Sequence, residues 1–224
     1  MRAYSSLAGH ILGSHPEING YYELHLDYRQ PDALKQQTSK YLEHDLLKPN
    51  SRFLFDKLLH NDYQLTDNLI RDENNRILVS IRKPEESLKS ILKLFRNKHD
   101  PAPFQNEEEV SRYYCERLNA LAEFCMQYKG HYFYYDAEEW ITQPEVLLPK
   151  LQTWLGLSTA LTEKYQQFSQ TGKARAGDSS EKILAGEINK QSSDYSKIKV
   201  EQDWLDLASK KYVECQMVFT ENSL

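Results

Sequence analysis

An arginine and a serine eight residues apart, Arg82 and Ser90, are placed so that they could bind a phosphate group. Residues 77–81 form an apolar, β-branched run that predicts a buried strand, and the pattern after Pro84 predicts an amphipathic helix. Arg82 would then leave the carboxyl end of a strand, with Ser90 on the helix beside it, in the crevice where α/β sheets bind ligands. A guanidinium fork and a hydroxyl suit a phosphate. The alternative is an arginine that only forms an ion pair at the strand end, with a serine on the surface.

The amino-terminal segment offers a second candidate site for an anion. Small and hydroxyl-bearing residues there precede a predicted helix whose inward face carries Leu7, Ile11 and Leu12. The first N–H groups of a helix lack intrahelical partners, and the helix dipole is positive at this end, so anions bind there. The pattern GxxxxGK[ST] is absent, and ATP hydrolysis is therefore not expected. The candidate contacts are Arg2, Ala3, Tyr4, Ser5 and Ser6.

Together these motifs resemble those of sulfotransferases that use 3′-phosphoadenosine 5′-phosphosulfate (PAPS). Residues 1–7 are similar to the family's first loop, and His15-Pro16-Glu17 follows at the expected distance. Arg82 and Ser90 match the family's arginine–serine pair. The sequence from Phe133 to Asp136, followed by Leu155-Gly156-Leu157, is similar to a further strand, turn and helix of the family. The resemblance spans roughly residues 1–160.

The resemblance implies a three-layer α/β fold, P-loop-like, with a central and mostly parallel sheet flanked by helices, in a single domain over residues 1–224. Two features depart from the family pattern. Tyr4 replaces the loop glycine, and the strand that the family places before this loop is missing, because the chain starts at Met1. We therefore expect a truncated first strand, a late annotated start, or another segment in that position.

The resemblance also implies the catalytic groups. Glu23 lies 21 residues after Arg2 (23 − 2 = 21), the offset of the catalytic base in the tyrosylprotein type of the family and its relatives, and His25 is the competing candidate. A carboxylate is a better base when a dry site raises its pKa. Lys57 resembles the family's lysine that neutralises the leaving group. The alternatives are a solvated or ion-paired Glu23 and a surface Lys57.

A late glycine-flanked basic segment contains Lys173 and Arg175, which could cover the 3′-phosphate as a similar loop does in the family. The implied co-substrate is PAPS, with no metal, and the implied acceptor is a small molecule or a carbohydrate with a hydroxyl or amine. A PAP-binding relative without activity, where PAP is 3′-phosphoadenosine 5′-phosphate, is the first alternative. A small-molecule kinase is the second, although the loop has no lysine.

Composition narrows the function classes further. The net charge of −5 argues against broad nucleic-acid binding. Three widely spaced cysteines and the lack of a signal peptide predict a cytoplasmic protein with reduced thiols, and no apolar run is long enough for a membrane span. The oligomeric state cannot be deduced from the sequence. Periodicity predicts helices at 4–13, 31–47, 64–70, 84–97, 107–128, 137–142, 144–155 and 201–219, strands at 18–22, 52–56, 77–82 and 131–135, and an irregular segment at 170–200.

Overall fold

A computed structural model describes residues 3–96, 104, 106–173, 181–191 and 194–224. These residues form a mixed α/β protein with short parallel strand pairs. The helices are α1 (Ser5–Ser14), α2 (Ala33–Leu42), α3 (Asp67–Arg71), α4 (Pro84–Arg96), α5 (Glu107–Gln127), α6 (Glu139–Thr142), α7 (Pro144–Leu155) and α8 (Gln202–Asn222), with a 3₁₀-helix at Glu181–Ala185. The strands are β1 (Ile18–Asn19), β2 (Phe53–Leu54), β3 (Leu78–Ile81) and β4 (Phe133–Asp136).

The chain divides into two compact units, each formed from segments that are distant in sequence. Unit A comprises Tyr4–Leu69 and Glu139–Lys190, and unit B comprises Met1–Ala3, Ile70–Glu138 and Gln191–Leu224. The single domain expected over residues 1–224 stays a prediction.

The strands pair in parallel, as the alternation of strands and helices predicted. In unit A, Ile18 of β1 lies opposite Phe53 of β2, and in unit B, Leu78 of β3 lies opposite Phe133 of β4. The described strands form two pairs of two strands each, so the larger central sheet of the expected three-layer fold is not present in them. Each parallel pair is joined through a long crossover that contains a helix, as parallel pairing requires.

Unit A is organised around the packing of α1 on the chain that follows β1. A Cβ at Gly9 would lie 2.5 Å from the carbonyl oxygen of Tyr21, and one at Gly13 would lie 2.4 Å from that of Gly20. Only glycine therefore allows this close approach. The chain from Gly20 to Tyr21 thus passes along α1 toward its amino-terminal end. The buried apolar face of α1 includes Ile11 and Leu12, as predicted.

Unit B is built on α5 and α8, which lie side by side. The Ser111 hydroxyl donates to the carbonyl of Trp204, at 2.9 Å, and the Tyr132 hydroxyl donates to that of Phe219, at 3.0 Å. The predicted inward face of α4 is confirmed for Leu88, Ile91 and Leu92, which are buried. It is wrong for Leu94, which is 40% exposed, because the apolar stripe runs at i, i+3 and i+4 spacing from Leu88 through Leu92 to Phe95 and leaves Leu94 outside it.

Candidate functional site

The residue before α1, Tyr4, has a left-handed backbone conformation at the position where the resemblance places a glycine. Tyr4 precedes the helix with φ 53° and ψ 21°, in the left-handed region. A residue with a Cβ adopts this region at a cost of about 1–2 kcal/mol. The first turn of α1, which includes Ser5 and Ser6, carries no acidic residue. Ala3 is buried, and Arg2 lies outside the described residues.

The two candidate bases lie together in the segment after β1. The Glu23 side chain is only 9% exposed, and its Oε1 lies 3.4 Å from Nδ1 of His25. His60 Nε2 lies 3.9 Å from the same oxygen. Oε1 of Glu23 is buried and accepts no hydrogen bond from the described residues. Sequence reasoning missed His60, and the only available signal was its place three residues after Lys57.

The partly buried carboxylate of Asp56 links the Glu23 segment to Lys57. Its Oδ1 accepts hydrogen bonds from the backbone N–H of Leu24, at 2.9 Å, and from that of Lys57, at 2.7 Å. Its Oδ2 accepts one from the Tyr28 hydroxyl, at 2.7 Å. Burial raises the pKa of Asp56, while these donors oppose the shift. The alternative of a surface Lys57 is wrong, since this lysine is buried with 4% exposure.

A loop at residues 168–173 lies against His10 of α1. His10 Nδ1 lies 2.8 Å from the carbonyl oxygen of Ser6, and His10 Nε2 lies 2.9 Å from the hydroxyl of Thr171. Lys173, two residues further along this loop, is exposed. The structure therefore brings the loop that contains Lys173 into contact with His10 of α1. Arg175, the other cation predicted for this loop, lies outside the described residues.

The His-Pro-Glu part of the first motif has a structural role in unit A. His15 Nε2 lies 2.8 Å from the Thr159 hydroxyl, and Glu17 accepts hydrogen bonds from both the N–H and the hydroxyl of Ser158, each at 2.6 Å. The Ser158 donors, and next Arg52, lower the pKa of Glu17 to about 2. These contacts join the start of β1 to the turn after α7, so two of the three motifs meet through packing.

The aspartate of the third motif also has its hydrogen-bond partners within unit B. Asp136 Oδ1 accepts hydrogen bonds from the hydroxyls of Tyr134 and Tyr212, at 2.5 and 2.9 Å. The Gln216 amide donates to both oxygens of the carboxylate, at 2.9 and 2.8 Å. This network holds the end of β4 against α8, which is a structural function.

The arginine–serine pair also lies in unit B. Arg82 follows β3 directly, as predicted, and its side chain is 4% exposed. One terminal nitrogen donates to Glu86 at 3.0 Å, and Nε lies 3.9 Å from Glu138. The ion pair that the sequence left as an alternative is therefore present. The surface position considered for Ser90 is wrong, because this serine is 6% exposed on the buried side of α4.

The charged groups around Arg82 include two carboxylates, which a simple phosphate site would lack. Burial raises the pKa of Glu138, whose carboxylate also accepts a hydrogen bond from the backbone N–H of Lys83, at 3.0 Å. The Tyr114 hydroxyl donates to the Arg82 carbonyl at 2.6 Å and fixes the backbone at the strand end. Two carboxylates thus face the guanidinium that would hold a phosphate.

The described part of the chain contains no group of three His, Cys, Asp or Glu side chains arranged to hold a metal ion. Within the same residues, no helix has the length and apolar character needed to cross a membrane. Comparison with known proteins gave no matching family model, no matching curated protein and no matching solved structure.

Proposed function

We propose that the protein is a PAPS-dependent sulfotransferase that transfers a sulfuryl group to a hydroxyl or amine of a small-molecule or carbohydrate acceptor. The observation that carries this proposal is the buried Oε1 of Glu23, which accepts no hydrogen bond from the described residues. A buried carboxylate oxygen of this kind is a suitable acceptor for the proton of an incoming hydroxyl. The hydrogen bonds of Asp56 to Leu24 and Lys57 link the backbone beside this base to the backbone of the buried Lys57.

Each group has a distinct task in the proposed reaction. Glu23 accepts the acceptor's proton as its oxygen bonds to sulfur, while the bond between sulfur and the bridging oxygen of the donor breaks. The leaving phosphate gains negative charge, which Lys57 would neutralise as a compact ammonium. The N–H groups at the start of α1, with Ser5 and Ser6, would bind the same phosphate. His25 would orient the Glu23 carboxylate, or serve as the base in its place.

Arg82 and Ser90 form a candidate phosphate site of their own within unit B. Support comes from the position of Arg82 directly after a parallel strand and from the burial of both side chains. A phosphate would replace the Glu86 carboxylate as the partner of the guanidinium. The carboxylate is planar and the phosphate tetrahedral, but the oxygens of both accept hydrogen bonds from the same guanidinium N–H groups.

A PAP-binding protein without transfer activity is the second candidate. Two observations favour it: the side chain of Tyr4 at the loop position, and the carboxylates of Glu86 and Glu138 around Arg82. Calorimetry and thermal unfolding with PAP test both candidates together. PAP at 100 times its dissociation constant should stabilise the protein by about 2.7 kcal/mol. ATP with Mg²⁺ should not stabilise it, and stabilisation by ATP with Mg²⁺ alone would indicate a kinase instead.

The substitution Glu23→Gln separates the enzyme from the binding protein. The amide keeps the size of the side chain but cannot take a proton, so transfer from PAPS should fall by about 10²–10⁴-fold while PAP binding is retained. Glu43→Gln, which removes an exposed carboxylate of the same unit, is the matched control. Unchanged turnover of Glu23→Gln with loss of activity in His25→Asn would move the base to His25. No transfer by the wild-type protein to any acceptor of a broad panel, with PAP binding intact, would favour the second candidate.

A further inference from the structure

We infer that His60 holds the reacting group of the acceptor against Glu23, and that this group is a hydroxyl and not an amine. The inference rests on the proposed function and specifies it further, because the resemblance left the hydroxyl and the amine open and gave His60 no role. It is carried by the position of a ring nitrogen of His60 relative to a buried carboxylate oxygen that accepts no hydrogen bond from the described residues.

The distance between Nε2 of His60 and Oε1 of Glu23 suits one bridging oxygen atom. These two atoms are 3.9 Å apart, which is too far for a direct hydrogen bond. A hydroxyl that donates to Oε1 at about 2.7 Å and accepts from Nε2 at about 2.9 Å has an angle of about 90° at its oxygen, not far from tetrahedral. Nδ1 of His25, which lies 3.4 Å from the same Oε1, would reduce this angle to about 75°. His60 is therefore the better partner for a bridging hydroxyl.

The carboxylate and the ring lie at the border between the protein interior and solvent. The Glu23 side chain is 9% exposed, whereas that of His60 is 53% exposed. A buried acceptor atom without a donor carries an energetic cost, which a bound hydroxyl would remove. Because the His60 ring is half-exposed, a small rotation of this ring can admit a hydroxyl to Oε1 without moving the core. The pair thus points to a ligand that arrives from solvent with a hydrogen to donate.

The loop that carries His60 is fixed to the chain that follows the candidate base. The N–H of Tyr28 donates to the carbonyl of Gln64, at 2.9 Å, and the N–H of Gln64 donates to Oδ1 of Asp27, at 3.2 Å. Tyr63 packs edge-on against the His60 ring, with the ring centroids 5.9 Å apart. These contacts keep the His60 ring beside the carboxylate of the candidate base.

The hydrogen bonds at this position distinguish an alcohol from an amine. An ionised carboxylate can only accept, so the reacting group must donate its hydrogen to Oε1 of Glu23, and its heteroatom then accepts from the Nε2–H of His60. A hydroxyl oxygen has two lone pairs, of which one accepts from His60 and the other attacks sulfur. A neutral amine nitrogen has a single lone pair, which cannot do both.

The proton of the acceptor moves to Glu23 and not to His60. The O–H bond of the alcohol breaks and its proton goes to Oε1, while the bond between the alcohol oxygen and sulfur forms. The bond from sulfur to the bridging oxygen of the donor breaks, and its electron pair stays on the leaving phosphate. His60 keeps its own proton throughout. It therefore positions the reacting oxygen, and Glu23 remains the base.

Transfer from PAPS to alcohols and amines of the same skeleton tests the inference, with phenol and aniline as the first pair. The wild type should have a kcat/KM at least about ten-fold higher for the alcohol, as expected from one additional hydrogen bond. His60→Leu should lower kcat/KM for the alcohol by about ten-fold and leave that for the amine unchanged. His60→Gln, whose amide N–H can take the place of Nε2–H, should restore most of the loss. His44→Leu, which removes another exposed histidine of unit A, is the matched control and should change neither value.

The pattern of losses decides the outcome. Equal losses for alcohol and amine in His60→Leu, or no loss for either, would overturn the inference, and so would a wild type that prefers the amine. Thermal unfolding and PAP affinity should be unchanged in all three variants, because the replaced side chains are exposed. If the wild type binds PAP but transfers to no acceptor at all, the proposed activity itself fails and the inference fails with it. That result differs from a transferase that treats alcohol and amine alike.

Discussion

Replacement of Asp56 by alanine should separate the two segments that carry the candidate base and cation. Its carboxylate is the common acceptor for the N–H groups of Leu24 and Lys57 and for the Tyr28 hydroxyl. Each buried donor left without an acceptor costs about 1–3 kcal/mol. The alanine variant also lacks the desolvation cost of the carboxylate, which offsets part of this loss. We expect a net destabilisation of about 3 kcal/mol.

The matched variant is Asp56→Asn. Asparagine retains one oxygen, which can still accept from both backbone N–H groups, and its amide can donate to Tyr28 after rotation of that hydroxyl. Its loss should be about 1 kcal/mol, on the scale of one altered hydrogen bond. Urea unfolding followed by circular dichroism measures both values. The difference between the alanine and asparagine variants reports the loss of the backbone acceptor together with the loss of the Tyr28 partner.

Amide hydrogen exchange provides the local readout. In Asp56→Ala the amides of Leu24 and Lys57 should exchange markedly faster than in the wild type, while Asp56→Asn should protect them. Amides of α5, in unit B, serve as the internal reference. Wild-type exchange rates at both amides in the alanine variant would refute the argument that this carboxylate holds the two segments together.

The difference in unfolding free energy between the wild type and Asp56→Asn should change with pH in one direction. Because burial raises the pKa of Asp56 in the folded state, the folded protein binds this proton more readily than the unfolded chain. The contribution of Asp56 to the free energy of unfolding therefore falls as pH rises from the ordinary aspartate pKa to the raised one. Above the raised pKa, the full cost of the charged carboxylate in the folded state is present. The wild type should gain stability relative to Asp56→Asn as pH is lowered through that window. The opposite trend would contradict the assignment.

Three further predictions concern structural contacts and the arginine–serine pair. Glu17→Gln should lower the free energy of unfolding by about 1 kcal/mol near neutral pH, a value limited by the exposure of Arg52. Because Ser158 lowers the pKa of Glu17, this difference should disappear as pH falls from 4.5 through about 2. Acid unfolding measures the difference, and a difference that is constant with pH would show that the charge of Glu17 is not its cause. Lys48→Met should lower the free energy of unfolding in urea by about 2–3 kcal/mol, because the ammonium donates to three carbonyls at and after the end of α1. An unchanged free energy of unfolding would show that water replaces the ammonium as the donor. Glu86→Gln should raise PAP affinity several-fold in calorimetry, and a loss of affinity would exclude phosphate binding at the arginine.

Elements with a strong periodic pattern could be predicted from the sequence, and their bounds were close to those observed. The helix predicted at 84–97 extends over Pro84–Arg96, and that at 144–155 matches Pro144–Leu155. Both have an amphipathic pattern and a proline at the first position, which define a helix locally. The strands at 18–22 and 52–56 are shorter than predicted, at two residues each, because strand length depends on pairing partners that are distant in sequence.

The division into two units could not be predicted, because each unit combines segments from both halves of the chain. The same limitation explains the missed roles of His10 and Glu17. Their partners, Thr171 and Ser158, lie more than 140 residues away, and nothing in the local pattern identifies them. Motif reasoning was more successful where a residue follows a strand directly, as Arg82 does, since a strand end fixes the position of the next side chain.

The Glu86 pair determines how strongly Arg82 could bind a phosphate. Glu86 is 39% exposed, so its contribution to the pair is about 0–1 kcal/mol, and the carboxylate can swing into water when another anion arrives. A doubly charged phosphate that accepts two parallel N–H bonds from the guanidinium gains more than this amount. Glu138 is less exposed, at 18%, and lies further from Arg82, at 3.9 Å, and burial raises the pKa of its carboxyl group. The carboxylates therefore weaken a phosphate site at Arg82 without excluding it, and the affinity should increase as pH is lowered toward the range where Glu138 binds a proton.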